Sequence, residues 1–430
     1  YGNWKRFSSF TDSVRMDVAL NNSDVHSRTL SYIIPGIPRQ ADIMLNGADL
    51  TFTGTVNDFN GELKNIVTGG TRLHGTYAVK GVTDIKKAWF DLDIPSLSTD
   101  AFSLENLAYE FLSQEPDTAI INMLHRAGNM EMALKAVGEM NNFDADLNLS
   151  SPLGGIAAKA EISSAVNNGI KFDGTVEVEG FELGRLLATN TLGEIYVNGK
   201  LRGTVSNGKI DAQGNVGVPL IRFNDNIYRN IWISAAYEDK SVNGRIVSLD
   251  PGLRLSMAGK ANLRDSLPEY DLTLNVKNAD LNKLGFNKRD SISVITGDII
   301  AQASGTNPDN LNGTISLENI VYTSSSDSVA TGSMLITGRN NPQYKFLSLE
   351  SEFADARFIS RLSYLEVFDY LRHVIYDYIP ALATGDTHHA YHRDVDEENR
   401  MSRSGTSRFK LNVKKANNVA AIFVPGFSIA

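Results

Sequence analysis

The sequence predicts a mainly β fold in which short strands form one long, curved antiparallel sheet with a few short helical inserts. Apolar and polar residues alternate with a period of two along most of the chain, so each strand has one apolar and one polar face. Turn sequences such as Asn167-Asn168-Gly169 and Asp250-Pro251-Gly252 separate the runs. Few helical patterns lie between the runs, which favours antiparallel hairpins over parallel βαβ units.

The run from Glu194 to Val205 shows the pattern clearly, because Ile195, Val197, Leu201 and Val205 share one face. The same alternation recurs further along the chain and defines a set of candidate site residues on the apolar strand faces. These are Phe172, Val176, Val178, Ile195, Val197, Leu201, Val205, Leu253, Leu255, Met257, Leu272, Leu274, Val276, Ile315 and Leu317.

Glycines lie inside these runs as well as between them, for example at Gly174, Gly203 and Gly259. An interior glycine weakens a strand but permits bulges, strong bending and close approach of a neighbouring group. The repeated interior glycines therefore predict a strongly curved sheet.

Two stretches depart from the alternation. Residues 101–140 are predicted to be helical, with Ile120, Ile121 and Leu124 in a first piece that Gly128 ends. A second piece of this insert contains Met132, Leu134 and Val137. Residues 357–379 carry an apolar stripe at helical spacing and end before Pro380, and we expect this helix to pack against a sheet or to plug its end, with a membrane surface as the alternative.

These patterns divide the chain into six predicted segments. They are a β segment at 1–100, a helical insert at 101–140, a β segment at 141–356, an amphipathic helix at 357–380, a polar mobile loop at 381–407, and one or more terminal strands at 408–430.

Composition excludes several functional classes. The formal net charge of the 430 residues is −9, so no basic surplus is present to neutralise nucleic-acid phosphates. The chain has no cysteine, which excludes disulfides and thiolate metal sites. No apolar run is long enough for a membrane-spanning helix, and no signal peptide is recognised. Because the chain begins at Tyr1 and lacks an initiator methionine, we expect a fragment or a processed chain, and any anchor or targeting segment would lie outside it.

The residues that could support catalysis or metal binding all have a simpler interpretation. Imidazoles and carboxylates cluster in the polar loop, at Asp386, His388, His389, His392, Asp394 and Asp396. Their spacing matches no helical zinc motif, and a solvated loop is favoured over a metal site. The acidic pairs Asp91/Asp93 and Glu177/Glu179 could serve glycoside hydrolysis. They alternate with apolar residues, however, which is the pattern expected of the solvent-exposed face of a strand. The sequence thus predicts no catalytic residues, no metal and no cofactor.

The strand pattern from about residue 165 to 365 resembles the AsmA-like superfamily, closest to its TamB branch in the form found in Bacteroidetes. The stretch "NADLNKLGF" followed by "ITGDIIAQASGTNPDNLNGTISLENIVY" carries this resemblance, as does the run of thin strands that begins "GIKFDGTVEVEGFELGRLL". The stretch "SLESEFADARFISRLSYLEVFDYLRHVIYDYIP" is similar to the strand-then-helix element of such proteins. The chain would correspond to a central fragment, without the family's N-terminal anchor and C-terminal domain.

The resemblance implies that the sheet folds along its length into an open groove (a β-taco), apolar inside and polar outside. It implies a non-catalytic periplasmic segment, anchored to the inner membrane through residues outside this chain, that bridges the two membranes for phospholipid transport or outer-membrane protein assembly. The implied partners are phospholipid acyl chains and an Omp85-type barrel.

The strand pattern alone leads elsewhere, because it favours the filled core of a β-sandwich, as in a cell-surface binding module or adhesin. Both interpretations stay open at the level of sequence.

Overall fold

The computed structural model describes residues 10–31, 42–111, 117–166, 169–287, 291–325, 328–364, 366 and 407–415. These residues form 21 strands and a few short helices, and the strands belong to one long, open antiparallel sheet. The predicted mainly β, antiparallel fold class is confirmed. The chain divides into two compact units, Tyr1–Asp239 and Lys240–Ala430, and each is described by itself.

The first unit contains twelve strands, and each pairs antiparallel with the next one along the chain. The strands are β1 Met16–His26, β2 Met44–Thr55, β3 Asp58–Thr68, β4 Thr71–Lys80, β5 Trp89–Thr99, β6 Met130–Glu139, β7 Asn142–Ser151, β8 Gly154–Ala165, β9 Gly169–Glu182, β10 Leu192–Ser206, β11 Lys209–Phe223 and β12 Asn226–Glu238. The helices are α1 Phe10–Ser13, α2 Ser27–Ser31, α3 Ala101–Phe111, α4 Thr118–Ala127 and α5 Leu183–Leu187.

The second unit contains nine strands, which also pair antiparallel in chain order. They are β13 Ser241–Asp250, β14 Leu253–Asn262, β15 Glu269–Asp280, β16 Ser293–Ser304, β17 Asn312–Ser324, β18 Ser328–Gly338, β19 Lys345–Ser351, β20 Ala354–Ser360 and β21 Arg408–Val413. The last strand begins 48 residues after β20 ends, yet it pairs with β20 without a register shift.

Tight turns set the register of the hairpins. Between β10 and β11, Asn207 and Gly208 both have positive φ, at 50° and 72°. Positive φ at both central residues is the requirement of a type I′ turn, whose twist matches that of the flanking strands. The turn holds Val205 opposite Ile210, so the apolar residues of both strands fall on the same face.

The helical insert is only partly helical. The first predicted helical piece is confirmed, because Ile120, Ile121 and Leu124 lie in α4. The N–H of Gly128 caps the end of this helix by donating to the carbonyl oxygen of Leu124. The prediction of a second helical piece was wrong, because residues 130–139 form strand β6. Met132, Leu134 and Val137 lie in that strand, which bonds to β5 on one side and β7 on the other. Two ladders of backbone hydrogen bonds outweigh the helix propensity of its Met, Ala, Leu and Lys residues.

The helix predicted to begin at residue 357 was wrong in its first turn. Arg357 to Ser360 belong to strand β20, which pairs with β19 and β21. Helical backbone is present at Tyr364 and Glu366. The rest of that predicted helix, the polar loop up to residue 406 and the terminal stretch 416–430 lie outside the described residues.

Candidate functional site

In the first unit, apolar residues of seven neighbouring strands lie on one face in direct cross-strand register from β6 to β12. One row is Leu134, Leu147, Ala158, Val176, Gly199, Val216 and Ile233. The adjacent row is Ala136, Ala145, Ala160, Gly174, Leu201, Gly214 and Ala235. A third is Gly138, Phe143, Ile162, Phe172, Gly203, Ala212 and Tyr237. These rows carry no charge, and we call them, with their counterparts in the second unit, the apolar face.

The second unit repeats the arrangement from β14 to β21. One row is Gly259, Leu272, Ala301, Ile315, Ile336, Leu349, Ala356 and Leu411. The next is Ala261, Tyr270, Ala303, Gly313, Gly338, Leu347, Phe358 and Phe409. A shorter row, Met257, Leu274, Ile299, Leu317 and Met334, lies beside them. The apolar face therefore continues to the last described strand of this unit.

The candidate residues named from the sequence lie on this face, on β9 and β10 in the first unit and on β14, β15 and β17 in the second. Of the fifteen, only Val276 is buried, at 7% exposure. Leu201 and Val205 are exposed, at 39% and 38%, and the other twelve are half-buried. Residues of a sealed core are normally buried more completely than this, so the face is partly open to solvent.

One end of the first unit's strands is closed. We call it the helical end, because α3, α4 and α5 connect strands there. Its buried side chains include Ile66, Ile94, Met130, Leu153 and Phe181.

Polar contacts join the strand ends and the helices of this end. The hydroxyls of Thr71 and Thr99 lie 2.7 Å apart between β4 and β5. The Nε2 atom of His125 in α4 lies 2.7 Å from a carboxylate oxygen of Glu105 in α3. The guanidinium of Arg126 donates to the carbonyl oxygen of Leu186 in α5, at 2.9 Å. The three helices and the strand ends below them therefore form one packed cluster.

The opposite end of these strands, which we call the hairpin end, is more open at β9, β10 and β11. Ile170, Val205 and Ile210 sit opposite one another on β9, β10 and β11. Ile170 is 53% exposed and Ile210 is 49% exposed. Exposed aliphatic residues in register on three neighbouring strands form a contiguous apolar patch rather than scattered surface residues.

The polar face of the same strands alternates in charge. Asp93, Lys135, Asp146 and Lys159 follow one another across β5 to β8. The ammonium of Lys135 lies 2.9 Å from Asp93, and that of Lys159 lies 2.9 Å from Asp146. The hydrogen bond that Lys135 donates to Asp93, together with the negative charge of that carboxylate, raises the pKa of Lys135. One carboxylate of the Asp91/Asp93 pair is thus held by a lysine of the neighbouring strand.

In the second unit, two carboxylates of the polar face are stabilised as anions. The side chains of Asn275 and Asn319 both donate to Asp298 and lower its pKa. The ammonium of Lys414 donates to Asp355 at 2.6 Å and lowers the pKa of that carboxyl. Because both carboxylates are engaged with donors, this face has the chemistry of a solvated strand surface.

The sequence reasoning missed part of the apolar face. Phe59, Val79 and Phe90 extend the third row through β3, β4 and β5 to Gly138. The rings of Phe90 and Phe143 meet edge to face over Gly138, with centroids 5.2 Å apart. The same two-residue alternation was present in these strands and could have revealed them. Leu134 was hidden because its strand was interpreted as a helix.

Comparison with protein-family models, curated proteins and solved structures found no match to this chain. In the described part of the chain, no helix is long and apolar enough to cross a membrane. The described residues also contain no cluster of three or more His, Cys, Asp or Glu side chains suited to a metal ion. The cluster at His388, His389 and His392 lies outside the described residues.

Proposed function

We propose that this protein is a non-catalytic lipid-binding segment of a cell-envelope protein, in which the apolar face holds phospholipid acyl chains. The observation that carries the proposal is the half-buried state of rows that are apolar, uncharged and in register over seven or more strands. A face of this kind costs free energy in water unless something apolar covers it.

The dimensions suit an acyl chain. Neighbouring strands lie about 4.8 Å apart, so a row that crosses seven strands is about 29 Å long. The hydrocarbon core of a bilayer is about 30 Å thick, and the acyl chains of one leaflet reach about half that distance. A row is therefore long enough to hold an extended acyl chain. Each methylene removed from water contributes about 0.8 kcal/mol, which makes even partial coverage of a chain favourable.

The cellular role that we propose rests on the resemblance to AsmA-like proteins of the TamB branch. In this role the segment lies in the periplasm of a Gram-negative cell and is anchored to the inner membrane through residues outside this chain. It bridges towards the outer membrane for phospholipid transport, outer-membrane protein assembly or both, with an Omp85-type barrel as partner. The uncharged rows and the polar, salt-bridged opposite face support such a conduit.

The direct test is lipid analysis of the purified protein by native mass spectrometry and organic extraction. We expect co-purifying phospholipid in the wild type and a large loss of it in the double variant Leu201→Asp/Val205→Asp. The matched control is Lys200→Asp, which places the same carboxylate on the neighbouring position of the polar face. Similar phospholipid content in all three proteins would contradict the proposal.

A second measurement locates the lipid. Photoreactive residues at Val197 and Leu274 lie on the apolar face, whereas Asn198 and Thr273 are their neighbours on the polar face. Crosslinking to phospholipid is expected at the first two positions and not at the second two. Equal labelling of both faces, or none at Val197 and Leu274, would count against lipid binding in the rows.

A further inference from the structure

The last two described strands and the residue after β20 carry four cations that have no ion-pair partner among the described residues. Arg357 lies on β20, Arg408 and Lys410 lie on β21, and Arg361 directly follows β20. All four are exposed, and within the described part of the chain none of their side chains forms an ion pair or a hydrogen bond. We call this group the basic edge.

The basic edge contains a pair of like charges on neighbouring strands. Arg357 and Lys410 are direct cross-strand partners. On the other side of Arg357 the partner is the neutral Ser348. Like charges directly opposite one another destabilise a strand pair, and side chains in such a pair are about 5 Å apart at Cβ. An anionic surface that binds both cations would remove this repulsion.

Two nearby carboxylates are engaged with lysines that lie outside the basic edge. Asp355 accepts from Lys414 at 2.6 Å, and Glu352 lies 3.2 Å from the ammonium of Lys415. Glu350, the cross-strand partner of Asp355, offsets at most one of the four cations, so among the described residues the basic edge keeps an excess of positive charge, although the chain as a whole carries a net charge of −9. A surface with this local excess attracts anions, while the rest of the molecule repels them.

The same strand is apolar on its other face. Phe409, Leu411 and Val413 are 64%, 53% and 44% exposed, and Phe409 and Leu411 are the last described members of two rows of the apolar face. Among the described residues, β21 pairs with β20 and with no other strand. An object that approaches this edge meets cations on one side and apolar side chains on the other.

We propose that the basic edge docks on the surface of an anionic phospholipid bilayer. Cations beside exposed aromatic and aliphatic side chains match the boundary between headgroups and acyl chains, whereas an acidic protein segment would leave the apolar residues uncovered. The docking places the end of the rows at a membrane. The inference therefore deepens the proposed function. The purpose of the docking rests on that function, whereas the test of the docking does not.

The experiment is flotation of the full chain with vesicles of phosphatidylcholine alone, or with about one third phosphatidylglycerol. We expect binding to the anionic vesicles only, reduced by high salt. The double variant Arg408→Glu/Lys410→Glu is expected to bind at least about tenfold more weakly, since each cation near an anionic surface contributes about fivefold. The control Lys171→Glu/Lys200→Glu makes the same change in net charge on the polar face of the first unit and should bind as the wild type does.

Folding is checked separately from docking. Lys410→Glu puts an opposite charge across from Arg357, so the Tm of the variant should not fall. Equal binding to both vesicle types, unchanged binding of the Arg408→Glu/Lys410→Glu variant, or an equal loss in the control would overturn the proposal. If phospholipid co-purifies but the basic edge does not bind vesicles, the proposed function stands and this inference fails. If the chain binds vesicles but no phospholipid co-purifies, this inference stands and the proposed function fails.

Discussion

The two ends of the first unit's strands are built from the same kind of residue and are packed differently. At the helical end, where α3, α4 and α5 connect strands, Leu153 is 1% exposed and Met130 is 5% exposed. At the hairpin end, Ile170 and Ile210 remain about half exposed on the same sheet. Burial of apolar surface is the main stabilising term in folding. The helical end therefore provides much of the stability of this unit, while the rest of the apolar face is available for a ligand.

The largest effect is expected from a matched pair of truncations. Leu153→Ala removes a fully buried side chain and should lower the free energy of unfolding by about 2–5 kcal/mol. Leu201→Ala removes the same atoms from the half-open face and should cost less than half as much, because less apolar surface returns to water. Chemical denaturation of both variants measures the difference. Equal losses would show that the two regions are packed alike.

The apolar face is nevertheless tightly built where Phe90 and Phe143 meet over Gly138. This glycine has φ of 144°, and a Cβ there would lie 2.6 Å from the carbonyl oxygen of Asn142. Gly138→Ala should therefore cost about 1–3 kcal/mol through backbone strain and a steric clash. The control Gly155→Ala, whose Cβ would find its nearest neighbour at 3.9 Å, should be neutral or slightly stabilising. Denaturation midpoints that shift equally would contradict the difference in local packing.

The second unit has a closed region of its own around Tyr364. The phenol hydroxyl donates to the side-chain oxygen of Asn340 at 3.1 Å, and the backbone N–H donates to Asp309 at 2.7 Å. Tyr364→Phe removes one buried hydrogen bond and should cost about 0.5–1.5 kcal/mol. The thermal midpoint at neutral pH measures this loss.

Alkaline pH tests the same site. Burial raises the pKa of Tyr364 to about 12, above the ordinary value of 10.0. The neutral phenol is thus favoured in the folded state, so its contribution is complete below pH 10.0 and is lost as the pH rises towards about 12. The wild type should lose stability over that interval more steeply than Tyr364→Phe. Parallel losses would place the effect elsewhere.

The smallest effect is expected on the polar face. Lys159→Ala breaks the ion pair with Asp146, in which the lysine side chain is 70% exposed. Exposed pairs contribute less than about 1 kcal/mol and are screened by salt. The unfolding midpoint should change little, and phospholipid content should stay at the wild-type level. A loss of lipid in this variant would argue against the separation of the two faces.

Much of the fold could be predicted because strand periodicity is a local property. Val197 and Lys200 fall on opposite faces by spacing alone, and the Asn207-Gly208 dipeptide specifies its turn. The errors arose where local propensity and long-range pairing disagree. Met132 and Leu134 belong to a helix-favouring stretch, and Phe358 to an apolar stripe at helical spacing. All three are in strands because neighbours on both sides supply ladders of hydrogen bonds.

The sequence by itself determined the alternation, the turns and the absence of charge from the apolar face, since each depends on neighbouring residues along the chain. Only the tertiary structure decided which strands meet, how deeply each row is buried and where the cations of the basic edge come together. Lys410 faces Arg357 across 53 residues of sequence, and no local pattern reports such a contact. Burial has the same origin, because it depends on what lies above a strand, and α3, α4 and α5 lie at one end of the first unit's strands and not at the other.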